Sequence, residues 1–497
     1  MPHYHEAIRT FAPIADQLRA SGEESLFLLP YNDQASGSLC AEFGLSALYL
    51  PHFVWGRHLT GGVLQFFREN RRLRHFAQQF CDEIHPSAFV LIDDRRYIEA
   101  FLVKQAKVRQ IPSLVVMWAA TNDVENMLIW RQKRSNHYNV SFSEQILRRS
   151  VEWFVPQAVK YVDGQAVFWQ PPSAILGMRL FAGYPENPWI LGGGQADYVA
   201  VTGEHYRRIL LKAGVNPAKI LATGHPRHDL LIQDGLQWKT RERERICQEI
   251  GAPAEKRLLL LGAPPVAHIT AGTRAGHITA DQMNAYLHEV IARLLCLDET
   301  FHLVIKVHPR DEAETLPYLQ GHSKAFTVIR RYETGKLIAI SDLLICQGST
   351  IVFDAHILGT PTLTFDFYQT PGYDMWAKAG GVFHVTRQSD LLPSLRRVLE
   401  DSVVRSKLDA ERQTFLQEYV RCDGHAAERI ARVLQQIIRH KCNDTEGYGH
   451  ALWSAQALLA RPKQSFGIPK NVHNLACQYT FHLHGRMKNI LTRTGTS

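Results

Sequence analysis

Along most of the chain, apolar runs of four to seven residues alternate with longer stretches in which apolar positions recur every three or four residues. Short buried strands joined by amphipathic helices leave this pattern, which predicts βαβ units and parallel sheets. In the first half, Ser87 to Ile92 predicts a buried strand that runs into Asp93 and Asp94. A helix to about Arg109 and a strand from Ser113 to Trp118 follow. Asp197 to Val201 and Lys219 to Thr223 predict two more strands, separated by a helix over Glu204 to Lys212 that Gly214 stops.

The pattern restarts at Arg257 to Leu261 (RLLLL), which leads into the loop GAPPVAHITAGTRAGHIT and a helix from about Ala280 to Leu297. Strands are expected at His302 to Val307, Phe326 to Ile329, Leu343 to Cys346, Thr362 to Phe365 and Val382 to Val385. Helices are expected around Glu312, Lys336, Phe353 and Leu392. The expected fold class is α/β, with two Rossmann-like doubly wound domains facing a central cleft and a C-terminal helical tail. The expected boundaries are 1–240 for an N-terminal acceptor domain, 241–424 for a C-terminal nucleotide-donor domain and 425–497 for a basic helical tail. The polar stretch Asp234 to Arg245 is the expected hinge.

Composition sharpens this picture. The 497 residues are 45% apolar and 21% charged, and neither Gly (33) nor Pro (23) is in excess, which excludes disordered, collagenous and low-complexity classes. The eight cysteines form no CxxC pair, so neither a zinc ribbon nor a disulfide scaffold is expected, and a reducing compartment is. No apolar run approaches the roughly 18 residues of a membrane span, which predicts a cytoplasmic or peripheral protein. The net charge of +8 belongs almost wholly to the tail. Residues 425–497 carry ten Lys or Arg against Glu428, Asp444 and Glu446.

In doubly wound domains, ligands gather where strands end, and four such places carry candidate chemistry. His308-Pro309-Arg310 follow the strand HLVIKV and can donate to phosphoryl oxygens, or form a plain surface turn. In LLICQGSTIVFDAHILGTPTLTF, Gly348-Ser349-Thr350 stand between a strand and a helix start that suits a phosphate, although Ser349 can equally be a simple N-cap. Asp354, one turn on, can accept from a ribose or sugar hydroxyl or be a solvated helix residue. In Thr223 to Leu231, His225 and Arg227 either touch substrate or leave the first sheet with Arg227 braced on Asp229. Of the pair Asp93-Asp94, an N-cap explains one carboxylate, and the other is the candidate general base.

The stretches TGHPRHDLL, VIKVHPRDE, ISDLLICQGSTIVFDAHILGTPTLTFDFYQTPGY and RCDGHAAERIARVL resemble the donor domain of GT-B transferases that build bacterial surface polymers. Capsule polysaccharide synthesis proteins and CDP-glycerol glycerophosphotransferases are the nearest groups. The order Asp93-Asp94, His308-Pro309, Ser349-Thr350 also resembles bacterial GT-B sialyltransferases, although Arg95 stands where their pattern has Gly. MWAATND at 117–123 stands where the glycerophosphotransferases carry a His-Gly pair. The resemblance implies that His308, Ser349 and Thr350 hold the donor's phosphate and that Asp93 or Asp94 deprotonates the acceptor.

Non-hydrolysing UDP-N-acetylglucosamine 2-epimerases share the Gly turn, the His-Pro and the Gly-Ser helix start, but follow it with paired Glu where this chain has Phe353-Asp354 and Phe365-Asp366. A non-catalytic GT-B-like scaffold is the third alternative. The resemblance thus implies a glycosyltransferase moving a sugar or polyol phosphate from a nucleotide-activated donor, cytidylyl or uridylyl, to a polysaccharide or lipid-linked acceptor. No cofactor beyond the co-substrate is expected, no divalent ion, no structural metal and no nucleic acid. The acid-free segment 465–497 reads either as a basic amphipathic helix on an anionic inner membrane or as a helix docked on the first domain.

Overall fold

The computed structural model describes residues 5–29, 34–50, 62–95, 97–117, 142–162, 164–170, 172–182, 184–185, 187–266, 271–273, 276–311, 315–322, 326–368 and 374–443. The basic segment 465–497 and Trp118 to Asp123 lie outside them. The described chain falls into two compact units, one ending at Pro226 and taking up the chain again from His425, the other spanning Arg227–Gly424.

In the first unit, β1 (Leu26–Leu29) and β2 (Ser46–Tyr49) pair in parallel. A four-stranded parallel sheet holds β3 (Phe89–Leu91), β4 (Ser113–Val116), β7 (Tyr198–Val201) and β8 (Ile220–Ala222) in that order. Between β4 and β7 the chain makes an antiparallel hairpin, β5 (Val159–Val162) and β6 (Gln165–Phe168). Every residue of β4 and β7 is buried. Burial on both faces is why these strands read as continuous apolar runs rather than as alternating ones.

The helix Ala426–Asn443 returns to this unit, and Ala427, Ile430, Val433, Leu434 and Ile437 join Ala7, Ile8, Phe11 and Ala15 of the helix His5–Ala20 in one core. Their three- and four-residue spacing is the apolar stripe of an amphipathic helix. Arg429 anchors it by donating from Nε to the carbonyl of Thr223, just past β8, at 2.8 Å.

The second unit is a six-stranded parallel sheet of β9 (Arg257–Gly262), β12 (Phe301–Lys306), β13 (Thr327–Ile329), β14 (Leu343–Cys346), β15 (Thr362–Phe365) and β16 (Phe383–Val385). The strand order β13-β12-β9-β14-β15-β16 is doubly wound, with its reversal between β9 and β14. A short antiparallel pair, β10 (Ala271–Thr273) and β11 (Gly276–Ile278), follows β9. Leu259, Leu261, Leu303, Ile305, Leu343, Ile345 and Leu363 pack with Met283, Leu287, Val290 and Ile291 of the helix Ala280–Leu294. Each such side chain withdrawn from water contributes roughly 1.5 to 3 kcal/mol. The capping box of Thr279 and Gln282 fixes where this helix starts.

The strands expected from the apolar runs are all present to within a residue or two, and the helices around Lys336, Phe353 and Leu392 span Thr334–Ile340, Ile351–Leu358 and Leu391–Glu400. The expected hinge at 234–245 differs. That stretch is largely helical, in Pro226–Thr240 and Arg243–Ile250, and belongs with the second unit. Leu231 and Trp238 bring the apolar side of the first of these helices against Gly335. The units accordingly divide at Pro226/Arg227, rather than at residue 240, and the helix from 426 completes the first unit instead of forming a separate tail.

Gly262 ends β9 at the point of strand reversal, and a Cβ there would meet Ile351 Cδ1 of the next crossover helix at 2.6 Å. Gly262→Val should therefore force the helix start away from the sheet and cost about 1–3 kcal/mol. Denaturant unfolding checks this, and an unchanged midpoint would show that the close approach is not needed.

Candidate functional site

In the second unit, the chemistry-bearing residues follow β12 and β14. Lys306, the last residue of β12, is buried, and its ammonium donates to the carbonyls of Arg330 at 2.8 Å and Val307 at 3.2 Å. This bond ties the end of β12 to the segment following β13. His308 is half-buried, and its carbonyl accepts from the Asp311 amide at 2.9 Å, closing a single turn over Pro309–Asp311. Pro309 is exposed; the backbone of Arg310 is in that turn, and its side chain lies outside the described residues.

Cys346 ends β14, a thiol pushed up to about 12 by burial and therefore inert at neutral pH. Gln347 is buried, and neither its amide oxygen nor its amide nitrogen has a hydrogen-bond partner. Gly348 has φ of 56°, the left-handed conformation that favours glycine. Ser349 Oγ accepts from the Ile351 amide at 3.4 Å. The amides of Val352 and Phe353 bond to the Ser349 and Thr350 carbonyls at 3.3 and 3.1 Å. Fewer first-turn N–H groups are thus left for an anion than the Gly-Ser-Thr pattern alone suggests. Thr350 is exposed, and its side chain makes no capping bond.

Asp354 is not the solvated helix residue of the plain reading. It is buried, and Arg227 Nη2 donates to its Oδ2 at 2.7 Å. This longer-range pair joins the start of the helix Pro226–Thr240 to the helix Ile351–Leu358. His228 stacks on Phe353 beside it at 6.1 Å between ring centroids. The structure does not group His225 with Arg227. His225 is buried at the end of the first unit, after Gly224 with its φ of 84°, and Arg227 opens the second unit.

In the first unit the two adjacent aspartates have different environments. Asp93 is clamped by Arg95, which donates from Nε to Oδ1 at 3.0 Å and from Nη2 to Oδ2 at 2.9 Å, with the Arg95 amide also on Oδ1 at 2.8 Å. Arg95 in turn donates to the Pro188 carbonyl at 3.1 Å and lies 5.6 Å over the ring of Trp169. Asp94 accepts from the Ala196 amide at 3.3 Å, while its Oδ1 is buried without a hydrogen-bond partner. Burial, reinforced by the charge of Asp93 and opposed by Arg95, raises the Asp94 carboxyl to about 6. Gly194 presses on this carboxylate: a Cβ there would sit 2.4 Å from Asp94 Cγ and Oδ2.

Sequence reasoning missed the Arg95 clamp, the contact of Gly194 with Asp94 and the orphaned amide of Gln347. Arg95 was visible only as a departure from a motif, and a single Gln carries no signal until its burial is known. Among the described residues no group of His, Cys, Asp and Glu is placed to hold a metal ion, and no helix is long and apolar enough to cross a membrane.

Two α/β units with parallel sheets, the second with the doubly wound six-strand order, are those of the GT-B class, and similar solved structures agree. The Neisseria meningitidis UDP-GlcNAc 2-epimerase bound to UDP-GlcNAc aligns with a TM-score of 0.52 at 13% identity, over 87% of this chain and 98% of that one. The Methanocaldococcus jannaschii UDP-GlcNAc 2-epimerase in complex with UDP-GlcNAc and UDP aligns at 0.50 and 12% identity, over 86% and 96%. A variant of the wall teichoic acid polymerase TagF soaked with CDPG aligns at 0.51 and 13% identity, over 86% of each chain. At these identities the likeness is one of fold.

No curated protein matches the chain. Residues 192–436, just under half of it, match the CDP-Glycerol:Poly(glycerophosphate) glycerophosphotransferase family. The match takes in the whole second unit together with β7, β8 and most of the returning helix, and it bears out the resemblance to GT-B transferases of surface polymer synthesis. The chain is an enzyme of the type that transfers a group from a nucleotide-activated donor.

Arg227→Met should remove a charge-assisted bond from the buried carboxylate of Asp354, at a cost of roughly 1.5 to 3 kcal/mol. Adding Asp354→Asn, which takes away the buried charge, should recover part of the loss. A double-mutant cycle by denaturant unfolding measures the coupling, and additive losses would mean that the pair contributes nothing of its own.

Proposed function

We propose that the enzyme transfers a polyol phosphate, with glycerol phosphate as its simplest form, from a cytidylyl donor to a hydroxyl at the end of a phosphate-containing surface polymer. The family match over 192–436 carries this reading, because it covers every strand of the sheet on which a nucleotide donor would sit. The acceptor oxygen bonds to the phosphorus bearing the polyol, the pyrophosphate P–O bond breaks, and CMP leaves with that electron pair. The acceptor proton passes to a protein base.

In this reading His308 donates to a donor phosphoryl oxygen, with Arg310 beside it and Pro309 fixing the turn. The Thr350 hydroxyl and the backbone at Gly348 and Ser349 receive the second phosphate at the start of the helix Ile351–Leu358. Arg227 and Asp354 position that helix, and His225 supports the turn that leads into the helix Pro226–Thr240. Asp94 is the base, since its carboxyl is raised to about 6 and keeps one oxygen without a partner. Asp93 holds Arg95 and is committed to that pair. The enzyme works at the cytoplasmic side of the inner membrane, to which the basic segment 465–497 attaches it, and a capsule polymer is among the products this chemistry suits.

A thermal-shift panel of CMP, CDP, UDP, GDP and ADP tests the donor class, because a ligand at a hundred times its dissociation constant stabilises by about 2.7 kcal/mol. Cytidine nucleotides should raise the melting temperature most. His308→Ala should weaken the preferred nucleotide by about ten- to a hundredfold with the fold intact, and unchanged affinity would remove His308 from the site. Incubation with UDP-N-acetylglucosamine alone should give no product, whereas an epimerase would convert it without any acceptor.

Asp94→Asn should lower turnover by about 10² to 10⁴ while leaving nucleotide binding nearly unchanged. The base must be ionised, so wild-type turnover should rise with pH through about 6 and then level. The variant should lose this acid limb. Full turnover in Asp94→Asn would move the base elsewhere.

A further inference from the structure

Outside the residues discussed so far, the first unit has an open pocket of about 530 Å³ between the hairpin β5–β6, the turn at residues 187–194 and the segment leading into β8. That volume lies in the ordinary range of small-molecule sites, about 300 to 1,000 Å³. Its lining includes Lys160 and Lys219 and no acidic residue. Lys160 Nζ stands 5.0 Å over the ring of Trp189, which holds the ammonium over an aromatic face. Lys219 makes no ion pair among the described residues.

The pocket's walls are held by bonds that consume acceptors. Trp189 Nε1 donates to the Gln157 carbonyl at 2.7 Å, and Asn187 Oδ1 accepts from the Trp189 amide at 3.1 Å. Asn216 Oδ1 accepts from the Ala218 amide at 2.9 Å, which commits its oxygen and leaves its NH₂ end to a ligand. Two ammonium groups and an amide donor, with no carboxylate among them, select an anion.

The same turn forms the seat of the aspartate pair. Pro188, which lines the pocket, accepts from Arg95, and Gly194, also on its wall, presses on the Asp94 carboxylate. The turn that lines the pocket thus also packs against the Asp94 carboxylate, which is itself buried and outside the lining.

We infer that this pocket binds a phosphodiester group flanked by polyol hydroxyls, and so seats a phosphate of the acceptor chain. The inference rests on the transferase reading for its role, but the binding can be tested without turnover. Isothermal titration of the full chain with a soluble oligo(glycerol phosphate) should show binding that weakens steeply with added salt. Lys160→Ala and Lys219→Ala should each weaken it about tenfold, the pair about a hundredfold, and Lys160→Arg with Lys219→Arg should restore most of it. Both lysines are at the pocket's open surface, so an unchanged melting temperature verifies the fold.

A parallel arm uses co-sedimentation with phosphatidylcholine vesicles carrying phosphatidylglycerol, whose headgroup offers the same chemistry. Lysine-dependent binding in the oligomer arm assigns the phosphate to the polymer, and in the vesicle arm to a lipid headgroup. Either result upholds a phosphodiester site. Absent binding in both arms, or affinities unchanged by the double Ala variant, overturns it. If the oligomer binds as expected but no nucleotide stabilises the protein, the transferase assignment fails while the phosphate site remains.

Discussion

The constraint on which the rest depends is the burial of the central strands on both faces. A parallel strand covered on both sides can meet polar ligands only at its ends, because its flanks are filled by Leu, Ile and Val packed against crossover helices. In the second unit this leaves the turns after β9, β12 and β14 as places where polar side chains can collect. Gly262 belongs to this logic: a Cβ there would meet the Ile351 side chain of the crossover helix after β14 at 2.6 Å, so that side chain must shift to admit one. In the first unit the same constraint puts Asp93 and Asp94 directly after β3.

Burying carboxylates near strand ends is costly unless each is answered. Asp93 is answered by a bidentate guanidinium, Asp354 by Arg227, and both pairs also fix backbone that is distant in sequence. Asp94 differs. It receives one long amide bond, and the neighbouring charge and burial raise its carboxyl toward neutrality. Two adjacent carboxylates thus differ through environment alone, one held by a guanidinium and the other raised toward neutrality.

The return of the chain to its first unit is an equally physical matter. The helix Ala426–Asn443 carries an apolar stripe, and it completes the core against the helix His5–Ala20. Arg429 then reaches the carbonyl after β8, joining this last described helix to the segment that links the two units. The contribution of the C-terminal residues to the first unit is therefore one of packing as well as of charge.

The apolar runs determined the strands of both sheets, the helices between them and the doubly wound class, since a period and a run length are local properties. They also located the strand ends, and with them His308, Gly348 to Thr350 and Asp93-Asp94. What tertiary structure alone decided is which side chain answers which. Arg227 binds Asp354, 127 residues away, because the two helices that carry them are packed together. The stretch 234–245 is helical rather than a hinge because Leu231 and Trp238 find a surface on the second unit, and no local signal reports such a surface. The inequality of Asp93 and Asp94 is likewise invisible in a dipeptide of identical residues, since burial and the reach of Arg95 exist only after folding.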